Sequence, residues 1–251
     1  MQENLIIPLL LIGAGVLVLL AGLAKRSQAR DMEGLPCRHI SELVPGERQF
    51  ITGKAQSPAL ADSPVSKKPC VFYHEQIEQY HRRSGRGVGH WEHVSEIYYG
   101  AFFIADPTGQ ALVLPRAGSL DLLRGKLTLD DIADTRKSER ALFPDEIVTA
   151  LGTPRPLREL VEYLRGVYAA GVPPGLVAEL IKMERDPANA GLPCFFGDGL
   201  ERVADQPYSD YASSSASSAW LPLAGGAALL LAGAGALLSA LGVLGGGVNI
   251  E

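Results

Sequence analysis

The sequence predicts an α+β protein: a small, mainly antiparallel β domain with added helices, flanked by two transmembrane helices. Three observations support this fold class. Long uncharged stretches lie near both ends of the 251-residue chain. Between them, residues 49–115 contain runs of aromatic and β-branched residues separated by turn signals. From residue 120 onward, apolar residues recur at helical intervals instead.

The first predicted span is an N-terminal anchor covering residues 1–24. Residues 5–24 carry no charge, and at a rise of about 1.5 Å per residue such a helix is as long as the bilayer core is thick. A cleaved signal peptide is the competing interpretation. It requires a basic segment before the apolar run, whereas residues 1–4 have no basic residue and Lys25, Arg26 and Arg30 come after the run. The charge order therefore favours an uncleaved anchor.

The second predicted span covers residues 219–244, between a Ser-rich linker at 205–218 and a short tail at 245–251. Trp220 is placed to lie at the headgroup level. Small residues spaced by four allow another helix to approach closely. That helix is either the first span or, in a homo-oligomer, a second copy. The row consists of Ala224, Ala228, Ala232, Ala236 and Ala240.

The sidedness of the soluble domain rests on few charges. Lys25, Arg26 and Arg30 follow the first span, and the positive-inside rule places that side in the cytoplasm. The approach to the second span contains Asp205 and Asp210 and no basic residue, so it adds nothing to the argument. A cytoplasmic domain is the expectation.

The predicted soluble domain covers residues 25–204 and contains a sheet of about five strands. Between two strands lies Asp106-Pro107-Thr108-Gly109, which predicts a type I hairpin turn. We expect Asp106 to accept from a backbone N–H within the turn, and Gly109 to adopt a positive φ. We further expect Phe102 and Ile104 to lie on one face, above Leu112 and Leu114. The predicted strands are Gln49–Ala55, Val71–Tyr80, Tyr98–Ile104 and Ala111–Pro115.

A helical addition is predicted at about residues 120–184. Its pieces are 141–151, 156–170 and 175–184, each with apolar residues at helical spacing. Pro156 suits a helix start. Two interpretations remain open: an insertion that binds a partner, or helices packed on the sheet as ordinary core.

Several short motifs occur in a fixed order between the two predicted spans. The sequence reads Ile40-Ser41-Glu42-Leu43-Val44-Pro45-Gly46, then Ile51-Thr52-Gly53-Lys54-Ala55, Ser63-Pro64, Pro69-Cys70-Val71-Phe72-Tyr73, Trp91, Phe102-Phe103-Ile104-Ala105-Asp106 and Thr108-Gly109. This order resembles the GIDE domain, also called BAM (beside a membrane). That domain lies between two transmembrane helices in mitochondrial membrane-anchored ubiquitin ligases and has prokaryotic relatives. The resemblance covers roughly residues 35–118 and the segment 192–196.

The resemblance implies a domain for localisation and partner recognition, in a prokaryotic inner membrane. The mitochondrial members place this domain in the intermembrane space, which corresponds to the outside, so the resemblance and the positive-inside rule give opposite sides and the question stays open. The eukaryotic ligases also carry a zinc-binding RING module with Cys-x-x-Cys pairs. This chain has no Cys-x-x-Cys and no cysteine after Cys194, so ligase activity does not carry over. The candidate structural or interaction residues that match the motifs are Pro64, Cys70, Tyr73, Trp91, Asp106 and Gly109.

Composition and motifs favour a binding protein over an enzyme. The net charge of −5 argues against a nucleic-acid partner, and three widely spaced cysteines argue against a disulfide framework. No nucleophile elbow, phosphate-binding loop or dinucleotide fingerprint occurs. We expect no cofactor. His81, His90 and His93 are weak candidates for a metal site, because their spacing matches no helical metal motif. The segment 82–89 carries Arg82, Arg83 and Arg86, which could contact lipid headgroups or an acidic partner.

Three hypotheses for function follow. The first is a non-enzymatic interaction or sensor module beside the membrane, with the lipid bilayer and an unknown protein as partners. The second is a component of a ubiquitin-ligase-like system in which a separate chain supplies catalysis. The third is a membrane-organising protein that oligomerises through its spans.

Overall fold

The protein forms two compact units in a computed structural model. One comprises Met1–Leu35 and Ser209–Glu251, and the other Pro36–Tyr208. The structure describes residues 3–82, 89–122, 126–131, 134–166, 172, 174–218 and 220–240. Arg83, Arg86 and the predicted tail at 245–251 lie outside the described residues.

The first unit contains two helices that are long and apolar enough to cross a membrane, Ile6–Glu33 and Trp220–Ser239. The full helices are α1 (Glu3–Glu33) and α5 (Trp220–Ala240). Helix α1 continues for nine residues beyond the predicted end of the anchor at residue 24. Most of these residues, 25–33, are polar and lie beyond the apolar run.

Glycines on both long helices let α1 and α5 pack closely as an antiparallel pair. A Cβ at Gly15 would lie 3.0 Å from Leu230, and a Cβ at Gly226 would lie 2.7 Å from Leu19. Gly226 and Gly233 of α5 are buried. Close approach of two backbones through small residues is the usual basis of helix association in lipid.

The row of alanines does not make this contact. Ala224, Ala228 and Ala232 are exposed, so of the two alternatives, packing of this face against the first span is wrong at these three positions. The glycines that make the contact recur every seven residues on each helix, as at Gly226 and Gly233. Residues spaced by four and residues spaced by seven follow different lines along a helix, so the alanines and the glycines lie on different faces of α5.

The predicted Ser-rich linker is also wrong, because most of it is helix α4 (Tyr208–Ser218). The hydroxyl of Ser213 donates to the carbonyl of Asp210 at 3.0 Å, and Ser214 donates likewise to Tyr211. The serine hydroxyls thus donate to carbonyl groups of the preceding turn, and the helix continues without interruption.

The second unit contains three sheets in the described residues. The eight-stranded sheet has the order β12-β13-β7-β6-β1-β11-β14-β8, and the four-stranded sheet has the order β5-β4-β10-β9, while β2 and β3 pair alone. The prediction of about five strands is thus too low, whereas the mainly antiparallel pairing is confirmed. The strands are β1 (Gln49–Gln56), β2 (Ala61–Asp62), β3 (Pro69–Cys70), β4 (Phe72–His81), β5 (His90–Tyr99), β6 (Phe102–Asp106), β7 (Gly109–Val113), β8 (Leu120–Asp121), β9 (Lys126–Asp131), β10 (Thr135–Leu142), β11 (Ile147–Gly152), β12 (Arg155–Pro156), β13 (Pro193–Phe195) and β14 (Leu200–Ala204).

The helical addition is smaller than predicted. Helices α2 (Leu157–Arg165) and α3 (Pro174–Glu184) are present, and both pack on the sheet as core: their buried leucines cluster with Phe103 and Leu112. The helix predicted at 141–151 is wrong, because those residues end β10 and form β11. Asp145, between them, has a φ of 66° and turns the chain back.

The strand predicted at Tyr98–Ile104 is two strands. β5 ends at Tyr99 and β6 begins at Phe102, in a different sheet. Gly100, between them, has a φ of 113° and lies so close to Val71, just before β4, that a Cβ would be 2.5 Å from the Val71 carbonyl oxygen. The glycine therefore permits the chain to change sheets.

The hairpin turn at Asp106 is confirmed, but its register differs by one residue from the expectation. Phe102 pairs with Val113 and Ile104 pairs with Ala111, whereas Leu112 pairs with Phe103 on the other face. A two-residue turn pairs Asp106 with Gly109 and so fixes this register. Gly109 is not among the residues with positive φ, so that expectation is wrong as well.

Candidate functional site

The second unit contains an open pocket of about 600 Å³ on one face of the eight-stranded sheet. This size is typical of sites for one small ligand. We call it the β1 pocket, because strand β1 forms its floor. Its wall presents mainly carbon atoms, and the residues that line it are Cys37, Arg38, His39, Thr52, Gly53, Lys54, Gln56, Ala105, Asp106, Pro107, Ile147 and Pro207.

The floor of the β1 pocket consists of three neighbouring strands. Lys54 of β1 pairs with Ala105 of β6 on one side and with Ile147 of β11 on the other. Directly opposed residues project to the same face of a sheet, so the lysine lies between two apolar side chains. Ile147 is 48% exposed, so the floor includes apolar surface that no other part of the domain covers.

The strands of the floor approach each other unusually closely at Gly53. A Cβ at this position would lie 2.4 Å from the carbonyl oxygen of Ala105. Only glycine fits such an approach.

One lip of the pocket is the segment Cys37–His39, which follows α1 in the chain. The backbone N–H of Arg38 donates to the carbonyl of Phe50 at 2.9 Å, and the N–H of Phe50 donates to Pro36 at 2.9 Å. Two hydrogen bonds to β1 thus hold this segment beside the floor, and Arg38 and His39 line the pocket.

Asp106 connects the lip to the hairpin turn. Its Oδ2 accepts from the backbone N–H of Ile40 at 3.0 Å, and its Oδ1 accepts from the N–H of Thr108 and the N–H of Gly109. Burial alone would raise the pKa of this carboxyl, but the hydroxyl of Thr108 and these backbone donors lower it below its ordinary value. Asp106 is therefore an ionised carboxylate whose oxygens are already occupied.

The remaining charges of the pocket are positive and incompletely paired. Arg38 contacts Glu47 at 3.3 Å, but that carboxylate is 56% exposed, and such surface ion pairs contribute little. The Nε of Arg38 is buried without a hydrogen-bond partner. Within the described part of the chain, no carboxylate lies within ion-pair distance of Lys54. Two cationic residues, Arg38 and Lys54, therefore line the pocket, and of the two only Arg38 has an ion pair.

A cysteine, a histidine and an aspartate also line the pocket, which raises the question of nucleophilic catalysis. His39 Nδ1 lies 3.4 Å from Asp106 Oδ2. However, desolvation raises the pKa of the Cys37 thiol, whereas an activated cysteine needs a lowered pKa. His39 is 65% exposed and Asp106 already serves the turn. The arrangement is thus better suited to binding than to covalent chemistry.

Of the residues singled out in the sequence, Asp106 lines the pocket, and the backbone N–H of Gly109 donates a hydrogen bond to the Asp106 carboxylate. Pro64 and Cys70 lie elsewhere, beside a loop whose backbone N–H groups at Val65 and Ser66 donate to the buried carboxylate of Glu139. The Cys70 thiol donates to the Ala61 carbonyl, and burial raises its pKa to about 12. This thiol is a buried structural group.

The remaining candidates lie on the long β4–β5 hairpin. Tyr73 stacks on Tyr99, with 5.3 Å between ring centroids. The guanidinium of Arg136 lies 4.4 Å above the ring of Trp91, and Arg136 also pairs with Glu78. These contacts brace the hairpin.

The histidines of the hairpin are only partly brought together. The rings of His81 and His90 lie 5.7 Å apart, while His93 lies opposite Glu78 in the register of β4 and β5. No group of three possible metal-binding side chains occurs in the described ranges. Arg82 is 76% exposed and lies 3.5 Å from Asp134.

Sequence reasoning missed most of the pocket. Arg38, Lys54, Ile147 and Pro207 come from different parts of the chain, and only Lys54 belongs to one of the short motifs, Ile51-Thr52-Gly53-Lys54-Ala55. Lys54 did offer a signal, because it is the only charged residue in strand β1. Comparison with protein-family models, with curated proteins and with solved structures found no match for this chain.

Proposed function

We propose that this protein is a membrane-anchored, non-enzymatic binding module. Helices α1 and α5 cross the bilayer as an antiparallel pair, and the unit Pro36–Tyr208 recognises a ligand beside the membrane. The observation that carries the proposal is the glycine-mediated contact of α1 with α5, as at Gly15 and Gly226. A signal peptide is removed from the mature protein, so close packing of α1 against a helix from the other end of the chain favours an uncleaved anchor.

The β1 pocket supports the binding part of the proposal. It combines an uncovered apolar floor at Ile147 with the incompletely paired cations Arg38 and Lys54. An apolar cavity with a few convergent polar groups is the usual form of a ligand site. We place the pocket in the cytoplasm, because Lys25, Arg26 and Arg30 follow the first span.

Carbonate extraction of membranes from cells that express the full chain tests the anchoring. We expect the protein to remain in the membrane pellet and its mature N-terminus to precede residue 24. Release into the soluble fraction, or a mature N-terminus after residue 24, would overturn the proposal.

A membrane-organising role is the second proposal. Ala224, Ala228 and Ala232 are exposed on α5, while glycines occupy the face toward α1. The alanine face therefore remains free for a second copy, and close packing there would build a homo-oligomer. Cross-linking in the bilayer through a cysteine at Ala228 should then give a dimer. A cysteine at Leu230, whose side chain already faces Gly15 of α1, is the matched control and should give none.

A further inference from the structure

We propose that the β1 pocket binds a single-chain anionic amphiphile, of the chemical class of a free fatty acid drawn from the membrane. The anionic head would pair with Arg38 and Lys54, and the apolar chain would cover the floor at Ala105 and Ile147. This inference rests on the proposed function, since it names the ligand of the same pocket.

Charge complementarity selects an anion. Both Arg38 and Lys54 line the pocket, and the buried Nε–H of Arg38 has no acceptor. Lys54 is exposed and has no carboxylate within ion-pair distance among the described residues, so an anionic head that enters the pocket gains a charge partner there. The carboxylate of Asp106 does not compete for these cations, because its oxygens accept from Ile40, Thr108 and Gly109.

The wall of the pocket selects an apolar chain rather than a free inorganic anion. Ala105 and Ile147 lie on either side of Lys54 in the sheet, and Pro107 and Pro207 complete the wall. A hydrated phosphate would leave this surface exposed to water, whereas an acyl chain removes it from water, which is favourable in proportion to the apolar area covered.

The volume of the pocket selects one chain rather than two. At about 600 Å³, the β1 pocket lies within the range of sites for one small ligand. The Lys54 ammonium belongs to an exposed side chain that emerges between Ala105 and Ile147, and it has no carboxylate partner among the described residues. An uncharged alcohol of equal chain length would leave that ammonium without its partner and should bind less tightly.

The test uses the full chain in nanodiscs of neutral phosphatidylcholine, with empty nanodiscs subtracted. Dansyl-labelled undecanoic acid is the probe, and its fluorescence reports binding. We expect saturable binding that dodecanoate displaces, while dodecanol displaces it at least about tenfold more weakly and inorganic phosphate does not displace it. Lys54→Met and Arg38→Leu should each weaken binding by about tenfold.

Matched variants separate the pocket from general effects of charge and apolar surface. Lys182→Met and Arg158→Leu remove exposed cations from α3 and α2 and should leave probe binding unchanged. Ile147→Glu should abolish binding, whereas Val94→Glu, at a similarly exposed position on the hairpin, should not. The melting temperature of each variant confirms that it is folded.

Three results would overturn the inference: no saturable binding, equal displacement by dodecanol and dodecanoate, or binding that the pocket variants leave unchanged. Displacement by phosphate alone would identify a site for a free anion and would also contradict it. Carbonate extraction is independent of all these results. A protein that stays in the membrane but does not bind the probe would refute the ligand class and leave the anchoring intact.

Discussion

The carboxylate of Asp106 accepts a hydrogen bond from the backbone N–H of Ile40, at 3.0 Å and across 66 positions of the chain. The same side chain closes the turn between β6 and β7 by accepting from Thr108 and Gly109. One residue therefore fixes both the hairpin and the lip of the β1 pocket.

Replacing Asp106 by Asn should destabilise the domain by about 2 kcal/mol, because an amide nitrogen would face backbone donors and the charge would be lost. The melting temperature of the full chain in detergent, followed by near-UV circular dichroism, measures the effect. Glu179→Gln removes an exposed carboxylate of α3 and should change the melting temperature little. Equal melting temperatures for wild type and Asp106→Asn would show that the contact to Ile40 contributes nothing.

The pH dependence of the stability difference between wild type and Asp106→Asn tests whether the ionised carboxylate of Asp106 is its cause. The pKa of Asp106 is lowered on folding, so its stabilisation is present above the unfolded pKa of about 3.9 and is lost as the pH falls through the folded pKa. The difference in melting temperature between wild type and Asp106→Asn should therefore be constant from about pH 7 to 5 and become smaller below about pH 4. A gap that widens in acid would contradict the assignment.

Gly100 provides a second test of how the chain is routed. Gly100→Ala should cost well over 2 kcal/mol, because a positive φ and a clash with the Val71 carbonyl act together. Gly118 also has a positive φ but nothing within 4 Å of its Cβ position, so Gly118→Ala should cost only about 1–2 kcal/mol. Melting temperatures of the two variants compare the effects directly. A larger loss at Gly118 would mean that strands β5 and β6 are joined differently.

Sequence reasoning succeeded where one local signal acts without competition. The turn at Asp106 and the stripe of helix α2, with Leu157, Leu160 and Leu164 on its buried face, were both predictable. It failed at residues 141–151, because buried strands and buried helices both place apolar residues at irregular short intervals. The turn there depends on Asp145 adopting a positive φ, which the tertiary structure imposes.

The β1 pocket could not be predicted because its parts are distant in the chain. Arg38, Lys54 and Ile147 meet only through the pairing of β1 with its neighbours. No local sequence pattern shows which of the eight strands are neighbours in the sheet. The order β6-β1-β11 places the middle strand early in the chain and its neighbours later.

The contact between the long helices gives a third prediction. A cysteine pair at Ile12 and Gly233 should form a disulfide in the background Cys37→Ser, since a Cβ at Gly233 would lie 2.8 Å from Ile12. Gly226→Leu should prevent the cross-link, because a Cβ there meets Leu19 at 2.7 Å. Gly225→Leu is the matched control, with nothing within 4 Å of its Cβ position. Loss of the cross-link in both variants, or in neither, would refute the packing through glycine.

The central claim is that two spans hold the domain on one side of a membrane, and the natural cysteines allow a direct test. Cys37 is exposed, whereas Cys70 and Cys194 are buried, so a membrane-impermeant maleimide should label only Cys37 in the folded protein. A variant with Cys37→Ser and Asn4→Cys moves the reactive thiol to the other end of α1.

The decisive measurement is maleimide labelling of both proteins in sealed vesicles of known orientation. We predict that Cys37 is labelled only from the cytoplasmic face and that the cysteine at position 4 is labelled only from the opposite face. Labelling of Cys37 only from the opposite face, with the cysteine at position 4 labelled from the cytoplasmic face, would reverse the orientation and keep both spans. Labelling of both thiols from the same face would contradict the account, because α1 would then not cross the membrane.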